Sequence, residues 1–411
     1  MRSRVGQSVR ACVLGVSLAA LAATGGRAAE AVSDGVVRIG ILNDLSGIYS
    51  DFTGRGSAVA AQIAIDEMGG KVLGAPVELV AADHQNKPDI AANLAREWFD
   101  QGKVDMIADF PTSSTALAVM EIAKQKNRVT MLSAGVAMAA ITEKCSPLNA
   151  QWMVNTYALA AGTAKALMQA GKKSWYFVTA DYTFGHSLEK DAAAVVESEG
   201  GKVLGTSRHP FPGGDFSSYM LKAQGTGAQV IALANAGSDT INAIKQAAEY
   251  GIGRSEKQVI APLLTYITDV KSLGLAKAQD MYLTEAFYWD YDDRSRAFAE
   301  KYFAKMKRMP SASQAAVYSA ALSYLKAIQA VGTDEAGAVM KQLRSMTIDD
   351  AVIRNGRLRP DGALVHDLLL LQVKKPADSK RDWDFYTVKA VLKGDDVYPK
   401  PSDACPLNAK G

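Results

Sequence analysis

The sequence predicts an α/β fold made of two doubly wound parallel-sheet lobes. Two series of alternating strand-like and helix-like segments occupy residues 36–132 and 157–261. Such alternation is typical of parallel βαβ winding. The chain has 411 residues, which is more than one usual domain, so two lobes are expected.

The N-terminal segment 1–31 has the features of a secretory signal peptide. Arginines precede an apolar stretch at 11–23, and Ala29-Glu30-Ala31 offers a cleavage site. No later segment reaches the roughly 20 apolar residues of a membrane span, so we expect a soluble periplasmic chain. Lipid anchoring would need a cysteine just after the apolar stretch, whereas Cys12 lies at its start.

Removal of this segment also changes the charge balance. The formal net charge is +3, and segment 1–31 holds four arginines and one glutamate, so the mature chain is neutral. A neutral chain with scattered charges gives no electrostatic reason to bind nucleic acid. We therefore predict no nucleic-acid partner.

The first series begins with strand 36–42, which stops at Asn43-Asp44-Leu45-Ser46-Gly47. A strand that ends in small and polar residues before a helix presents a loop to a ligand. The first lobe then continues with further predicted elements: helix 58–68, strand 77–81, helix 90–100, strand 104–108, helix 114–125 and strand 129–132.

The second series follows the same order of elements without a sequence repeat. Its predicted elements are helix 157–170, strand 174–179, helix 186–199, strand 202–207, helix 217–224, strand 230–234, helix 239–250 and strand 258–261. Helices follow at 293–308, 314–331 and 335–345. Glycine-containing turns then separate runs 368–373 and 384–391, which predicts a terminal antiparallel ribbon.

Two cysteines, Cys145 and Cys405, remain after signal cleavage. In an oxidising compartment two cysteines most simply pair with each other, so we predict a Cys145–Cys405 disulfide. Both lie in turn-like settings next to proline, which suits a bond that holds the C-terminal tail. Two buried free thiols are the alternative, because spacing alone does not establish proximity.

These segments, in this order, resemble the type I periplasmic binding proteins, in particular the leucine/isoleucine/valine-binding branch that serves ABC importers. The motifs that carry the resemblance are Arg38-Ile39-Gly40-Ile41 through Leu45-Ser46-Gly47, Gly69-Gly70 to Gly74, Thr112-Ser113-Ser114-Thr115, Asp181-Tyr182-Thr183-Phe184-Gly185, Asp215-Phe216-Ser217 and Gln246 to Gly251.

The resemblance implies a clamshell whose two lobes are joined by three crossovers and close on a small solute without chemistry. It implies lobe 1 at 34–155 plus 286–350, and lobe 2 at 156–285 plus 351–400, before a tail at 401–411. An ABC permease in the inner membrane is the expected partner. We expect a monomer that needs no cofactor.

Hydroxyl residues after the predicted strand 104–108 are the first candidate site. Thr112, Ser113 and Ser114 open a helix, and a helix N-terminus favours anions, although simple helix capping would explain them as well. The resemblance implies that these hydroxyls contact a ligand carboxylate. Ser133-Ala134-Gly135 follows the next strand and permits close backbone approach to a bound group.

Two departures from the family pattern question an α-amino-acid ligand. Ala137 stands where the family places a threonine that holds the amino-acid headgroup. Segment 262–266 lacks the acid that commonly receives the ligand ammonium. A buried ammonium without a counter-charge costs several kcal/mol, which argues for a different ligand. Asp239 could substitute, although capping its own helix is the role we favour.

Aromatic residues concentrate where the cleft is expected, and flat rings suit flat or apolar solutes. Packing in the core or hinge is the alternative, above all for Trp289. Asn235 adds a candidate amide contact, or forms a plain turn. The aromatic candidates are Tyr49, Phe52, Tyr182, Phe184, Tyr266 and Trp289.

No catalytic pattern stands out. The histidines at 84, 186, 209 and 366 lack metal-ligand spacing, and neither a nucleophile elbow nor a Walker loop is present. We therefore predict no metal site and no enzyme. The leading hypothesis is a receptor for a small carboxylate-bearing or aromatic solute. The alternatives are a branched-chain amino acid or amide receptor, a sensor ectodomain and, remotely, a secreted hydrolase.

Overall fold

The computed structural model describes residues 32–253, 255 and 257–408. The predicted signal peptide at 1–31 therefore lies outside the described residues. The described residues form an alternation of strands and helices. The strands are β1 Val37–Asn43, β2 Lys71–Val72, β3 Ala75–Asp83, β4 Met106–Asp109, β5 Val129–Leu132, β6 Asn149–Gln151, β7 Ser174–Ala180, β8 Lys202–His209, β9 Val230–Ala234, β10 Val259–Pro262, β11 Tyr282–Glu285, β12 Thr347–Ile348, β13 Gly356–Leu358, β14 Leu364–Val365, β15 Leu368–Val373 and β16 Tyr386–Leu392.

The helices connect these strands and cover the faces of the sheets. They are α1 Gly54–Glu67, α2 Pro88–Asp100, α3 Ser113–Gln125, α4 Thr156–Gln169, α5 Thr183–Ser198, α6 Ser217–Gly225, α7 Ser238–Glu249, α8 Ile267–Leu273, α9 Leu275–Ala278, α10 Asp293–Met306, α11 Ala312–Val331, α12 Ala336–Ser345 and α13 Gly394–Val397. Among the described residues, no helix has both the length and the apolarity to cross a membrane.

Lobe 1 is built on a six-stranded sheet in the order β2-β3-β1-β4-β5-β6. Its strands are parallel except for β2, which forms a short hairpin with β3. Strands β1, β4 and β5 are buried almost throughout, as expected when helices cover both faces. Helices α10 and α11, which come much later in the chain, pack against α1 and return the chain to this lobe.

Lobe 2 is built on a four-stranded parallel sheet in the order β10-β9-β7-β8. An antiparallel sheet, β11-β15-β16, lies beside it, and α4 packs on β11. The predicted terminal ribbon is thus present as β15 and β16, with Leu368 opposite Leu392. The predicted α/β fold with parallel-sheet lobes is confirmed.

The C-terminal tail returns to lobe 1, where Cys405 is bonded to Cys145. The sulfur atoms are 2.02 Å apart and the bond joins positions 260 residues apart in sequence. The structure therefore contains the predicted disulfide, and the alternative of two free thiols is not observed.

Two local features differ from expectation. Helix α1 begins at Gly54 rather than near residue 58, so its first turn includes Gly56. This turn packs closely against α10, since a Cβ at Gly56 would lie 2.1 Å from the Tyr302 hydroxyl. Segment 347–365 contacts lobe 1, since the Gln151 N–H donates to the Gly362 carbonyl at 2.7 Å. The predicted second part of lobe 2, 351–400, therefore begins within a segment that pairs with the first sheet.

Candidate functional site

The strand order places a crevice at the carboxyl end of each parallel sheet. In lobe 1 the winding reverses direction between β1 and β4, and in lobe 2 it reverses between β7 and β9. Ligands of open α/β sheets bind at such switch points. The loops after these four strands are therefore the starting point for a site: 44–53, 110–112, 181–182 and 235–237.

These loops meet across the space between the lobes. The Ser238 N–H donates to the Ile48 carbonyl at 3.3 Å, and the hydroxyls of Tyr49 and Tyr182 are 2.6 Å apart. Farther along, the Met138 N–H donates to the Ser187 hydroxyl at 3.3 Å. The structure is thus a closed form in which main chain and side chains of both lobes touch.

A buried carboxylate organises the loops of lobe 1. Asp44 accepts hydrogen bonds from the Gly47 N–H at 2.6 Å, the Tyr49 N–H at 2.9 Å and the Asn86 side chain at 2.6 Å. Asn86 in turn accepts from the Thr112 hydroxyl. The loops after β1, β3 and β4 are therefore held together, and this chain of bonds positions Tyr49 and the start of α3.

The predicted hydroxyl residues open α3, where Thr112 is the N-cap residue without a side-chain cap bond. The buried Ser113 hydroxyl accepts from the Ala137 N–H at 3.1 Å, which joins this turn to the loop after β5. Ser114 is half-buried. The start of α3 is thus joined to the loop after β5 at Ala137, two residues beyond the predicted Ser133–Gly135 segment. That these residues contact a ligand stays a prediction.

The Ser133–Gly135 loop lies against lobe 2. Ser133 and Ala134 are buried, and the Ser133 hydroxyl makes only a 3.5 Å contact with the Met131 carbonyl. A Cβ at Gly135 would lie 3.4 Å from a methyl group of Leu264. The missing side chain at 135 thus allows the two lobes to approach each other here.

Aromatic rings form a continuous wall between the lobes. Phe52 stacks on Tyr266 with ring centroids 4.4 Å apart and lies 5.2 Å from Tyr49. Tyr182 stacks on Phe211 at 3.9 Å. We call this set the aromatic wall; it consists of Tyr49, Phe52, Tyr182, Phe184, Phe211 and Tyr266.

Asp239 lies next to this wall rather than capping its helix, so the predicted capping role is wrong. The N-cap of α7 is Gly237, which has no side chain, and Asp239 instead accepts from the Gly213 N–H at 3.0 and 3.2 Å. Burial raises the pKa of Asp239 to about 7. Burial is the main cause of the raised pKa of Tyr49 and of Tyr182, and the charge of Asp239 raises both further. The Asp239 carboxyl therefore lies near the tyrosine pair.

Asn235 and Trp289 have partners outside the wall. The Asn235 amide nitrogen lies 3.2 Å from His209 Nε2, and its oxygen accepts from the Thr240 hydroxyl at 2.6 Å. Trp289 donates to the Trp383 carbonyl at 2.8 Å, and the Arg381 guanidinium lies over its ring. The contacts of both side chains are thus internal to lobe 2 and its ribbon.

Asp109 and Phe110 have left-handed backbones at the lobe 1 switch point, with φ of 94° and 66°. Non-glycine residues seldom adopt this conformation, and such strain concentrates at binding sites. Asp109 is fully buried and accepts from the Asn43 amide at 2.9 Å. Burial raises its pKa to about 7. In the described part of the chain, no cluster of acid, histidine or cysteine side chains could hold a metal ion.

A model of the family described as periplasmic binding protein matches residues 36–380. The chain belongs to this periplasmic binding protein family. Its members are non-enzymatic solute-binding proteins of ABC transporters, which agrees with the predicted family and with a binding protein rather than an enzyme.

Solved structures of periplasmic binding proteins support the same assignment. The crystal structure of a periplasmic binding protein from Burkholderia mallei has 46% identity and a TM-score of 0.87, covering 90% of this chain and 99% of that one. A branched chain amino acid ABC transporter periplasmic ligand-binding protein from Burkholderia xenovorans has 40% identity and a TM-score of 0.80, covering 88% of this chain and 96% of that one.

A curated relative of this periplasmic binding protein is the Leu/Ile/Val-binding protein homolog 6 of Brucella melitensis. It is 30% identical over 262 residues, which are 63% of this chain. The match spans 66% of that relative, just under two thirds of its length.

Some residues of the site carry no local sequence signal. The turn that contains Asp44 is predicted as a ligand loop, but the partner of Asp44, Asn86, is not predicted, because their contact depends on the parallel pairing of β1 with β3. Phe211 follows β8, and only the sheet order shows that this strand lies beside β7. The order of predicted strands could have indicated these loops, because all of them follow the carboxyl ends of parallel strands.

Proposed function

We propose that this protein captures a small carboxylate-bearing or aromatic solute in the periplasm and delivers it to an ABC permease. The aromatic wall beside the N-terminus of α3 is the observation that carries the proposal. It combines apolar area for a flat or apolar group with hydroxyls and free helix N–H groups for an anionic end.

Closure of the two lobes would retain the bound solute. The contacts between Tyr49 and Tyr182 and between Ile48 and Ser238 join the loops of both lobes over the wall. A solute that binds this closed arrangement better than an open one shifts the population toward it. We propose that the protein acts as a monomer and without nucleic acid.

Thermal-shift measurements on the mature protein would test the solute class. Branched-chain amino acids, aromatic acids and aliphatic acids are tested separately; a ligand at a hundred times its Kd stabilises by about 2.7 kcal/mol. Stabilisation by aromatic or aliphatic acids supports the proposal. Stabilisation by leucine-like amino acids alone contradicts the argument from Ala137 and segment 262–266.

A branched-chain amino acid or amide receptor is the second candidate, and the position of Asp239 favours it. This carboxyl lies near Tyr49 and Tyr182 and could receive an ammonium or amide group. Leucine binding that Asp239→Asn abolishes would support this candidate. Unchanged binding in that variant would exclude Asp239 as the receiving acid.

A further inference from the structure

A cavity of about 370 Å³ lies at the junction of the two lobes and is lined by residues that the crevice does not use. None of its lining residues belongs to the four loops of the crevice or to the aromatic wall. Its volume is within the range of small-molecule sites, which is about 300–1,000 Å³. The proposed solute site therefore does not account for this space.

The walls of the cavity come from both lobes and from two segments that join them. Segment 286–292 runs from β11, in the sheet beside lobe 2, to α10, which packs on lobe 1. Residues 366–367 join β14, whose small sheet contacts lobe 1, to β15. A change in the angle between the lobes therefore moves these walls. We call this space the hinge cavity; its lining residues lie within 286–295, 352–355, 367–369 and 391–393.

One part of the hinge cavity is apolar. Phe287 and Tyr288 are buried there, together with Val352 and Leu369. Val391 of β16 also lines the cavity and is 41% exposed. Rings and aliphatic side chains suit the apolar body of an organic molecule better than they suit an inorganic ion.

The acids of the hinge cavity already have hydrogen-bond donors. Asp292 accepts from Arg354 at 2.7 Å and from a main-chain N–H at 2.8 Å. Asp367 accepts from Lys393 at 2.9 Å and from a main-chain N–H at 3.2 Å. Each carboxylate oxygen of the two acids thus has a donor. A cationic ligand would have to displace these donors.

The basic side chains keep capacity for an anion. Lys393 is 66% exposed, and an ammonium group has three N–H donors. Arg294 bonds Asp349 at 3.1 and 3.3 Å, but the two side chains are 49% and 48% exposed, and such surface pairs contribute little free energy. Asp349 itself does not line the cavity. The lining therefore favours a negatively charged ligand.

Two neighbouring cavities, of about 260 and 190 Å³, continue this character. The first shares Lys393 with the hinge cavity, and the second shares Arg357 with the first. Six basic and three acidic side chains line the three cavities together, although Arg359 also has an acid partner, Asp361, outside the lining. A cleft lined mainly by one sign of charge raises the local concentration of the opposite charge.

We infer that the hinge cavity is a second binding site, for an organic monoanion with an apolar body, and that its occupancy favours the closed lobes. The anionic group accepts from Lys393 or Arg294, and the apolar body packs on Tyr288, Leu369 and Val391. The walls described above are those of the closed form, so a ligand that fits them binds this form better than an open one. The inference is independent of the proposed function, because it concerns different residues.

The probe is naphthalene-1-sulfonate, which combines a flat apolar body with one negative charge. Calorimetric titration compares it with 1-naphthalenemethanol, which is neutral, and with 1-naphthylmethylammonium, which is cationic. Two variants locate the site: Arg294→Gln removes a lining charge, and Val391→Trp fills space from an exposed strand position. The matched control is Arg296→Gln, because Arg296 belongs to the same helix, bonds Asp290 at 3.0 Å and does not line the cavity.

The sulfonate should bind the wild type more tightly than the alcohol or the ammonium does. Arg294→Gln should weaken its binding by about fivefold and Val391→Trp by about tenfold or more, while Arg296→Gln should leave it unchanged. Circular dichroism and thermal unfolding show whether each variant is folded. No binding of the sulfonate, tighter binding of either other probe, or equal affinity in all the folded variants would overturn the site.

A further variant tests the link to closure. The Ser187 hydroxyl accepts from the Met138 N–H across the lobes at 3.3 Å, and neither residue lines the hinge cavity. Ser187→Ala should therefore weaken sulfonate binding by about fivefold, through a less stable closed form. The control is Ser198→Ala, since that hydroxyl bonds the Val195 carbonyl within α5 at 2.8 Å. Equal affinities in the two variants would overturn the link to closure, and none of these results bears on the solute of the crevice.

Discussion

The hydroxyl oxygens of Tyr49 and Tyr182 lie 2.6 Å apart and connect the loop after β1 of lobe 1 to the loop after β7 of lobe 2. Each residue sits at the switch point of its own sheet. The hydrogen bond therefore links the two crevices in which a ligand of this fold is expected, and it exists only when the lobes are together.

Replacing one of these tyrosines should weaken closure. Tyr182→Phe removes one hydroxyl and keeps the ring stacked on Phe211, so the expected loss is about 1 kcal/mol, or roughly fivefold in solute affinity. Calorimetric titration measures it. Tyr176→Phe is the matched control, because its hydroxyl bonds Ser207 within lobe 2 at 2.6 Å. Equal effects of the two variants would contradict the role in closure.

Loss of the disulfide should destabilise the protein without altering solute affinity. The Cys145–Cys405 bond closes a very long loop, and removing a native disulfide typically costs about 2–5 kcal/mol. Chemical denaturation of the Cys145→Ser/Cys405→Ser variant measures the change. Reduced wild type should have the same midpoint as this variant. An unchanged midpoint would show that the bond contributes nothing to stability.

Gly56→Ala should be strongly destabilising. The added Cβ would lie 2.1 Å from the Tyr302 hydroxyl and 2.3 Å from the Gln314 amide, where α1 meets α10 and α11. Overpacking of this kind costs about 1–3 kcal/mol. Thermal unfolding would be compared with that of Gly225→Ala, a helical glycine with open space around its Cβ position. The control should be neutral or slightly stabilising, and similar losses in both would refute the packing argument.

Asp109 should make stability depend on pH. Burial raises its pKa from 3.8 to about 7, so the folded protein holds the proton more tightly than the unfolded chain. Stability is therefore expected to fall as the pH rises from about 4 to about 7, by an amount on the order of a few kcal/mol. Other buried acids such as Asp239 contribute a decline of the same sign, so Asp109→Asn should make the decline shallower without abolishing it in unfolding curves measured across the range. Exposed Asp403→Asn should leave the decline unchanged, and a decline of wild-type steepness in Asp109→Asn would contradict the contribution of Asp109.

The fold and part of the site could be predicted because they depend on local order. Tyr49, Phe52 and Tyr182 follow strands whose apolar runs are plain in the sequence, and parallel strands gather their carboxyl-end loops at one edge. The disulfide could be predicted because only two cysteines, Cys145 and Cys405, follow the predicted signal peptide. These inferences need only the succession of elements.

Other residues of the site depend on pairings between distant segments. Asn86 follows β3, which pairs with β1 although α1 and β2 come between them in the chain, so the bond from Asn86 to Asp44 has no local signal. Asp239 opens the predicted helix 239–250, where an acid often caps, yet the observed helix begins one residue earlier with Gly237 as its N-cap, and the Gly213 N–H donates to the Asp239 carboxylate. Tertiary contacts of this kind override the local capping preference of an acid, and neither composition nor periodicity predicts them.

The contact between Ile48 and Ser238 uses the carbonyl of one residue and the N–H of the other. The Ser238 hydroxyl adds only a 3.5 Å contact to the same carbonyl, so the main-chain bond itself depends little on the side chain at either position. Substitutions in the flanking loops can therefore change which molecule is recognised while preserving how the two halves meet. This separation of docking from recognition makes the scaffold suited to evolutionary diversification of specificity.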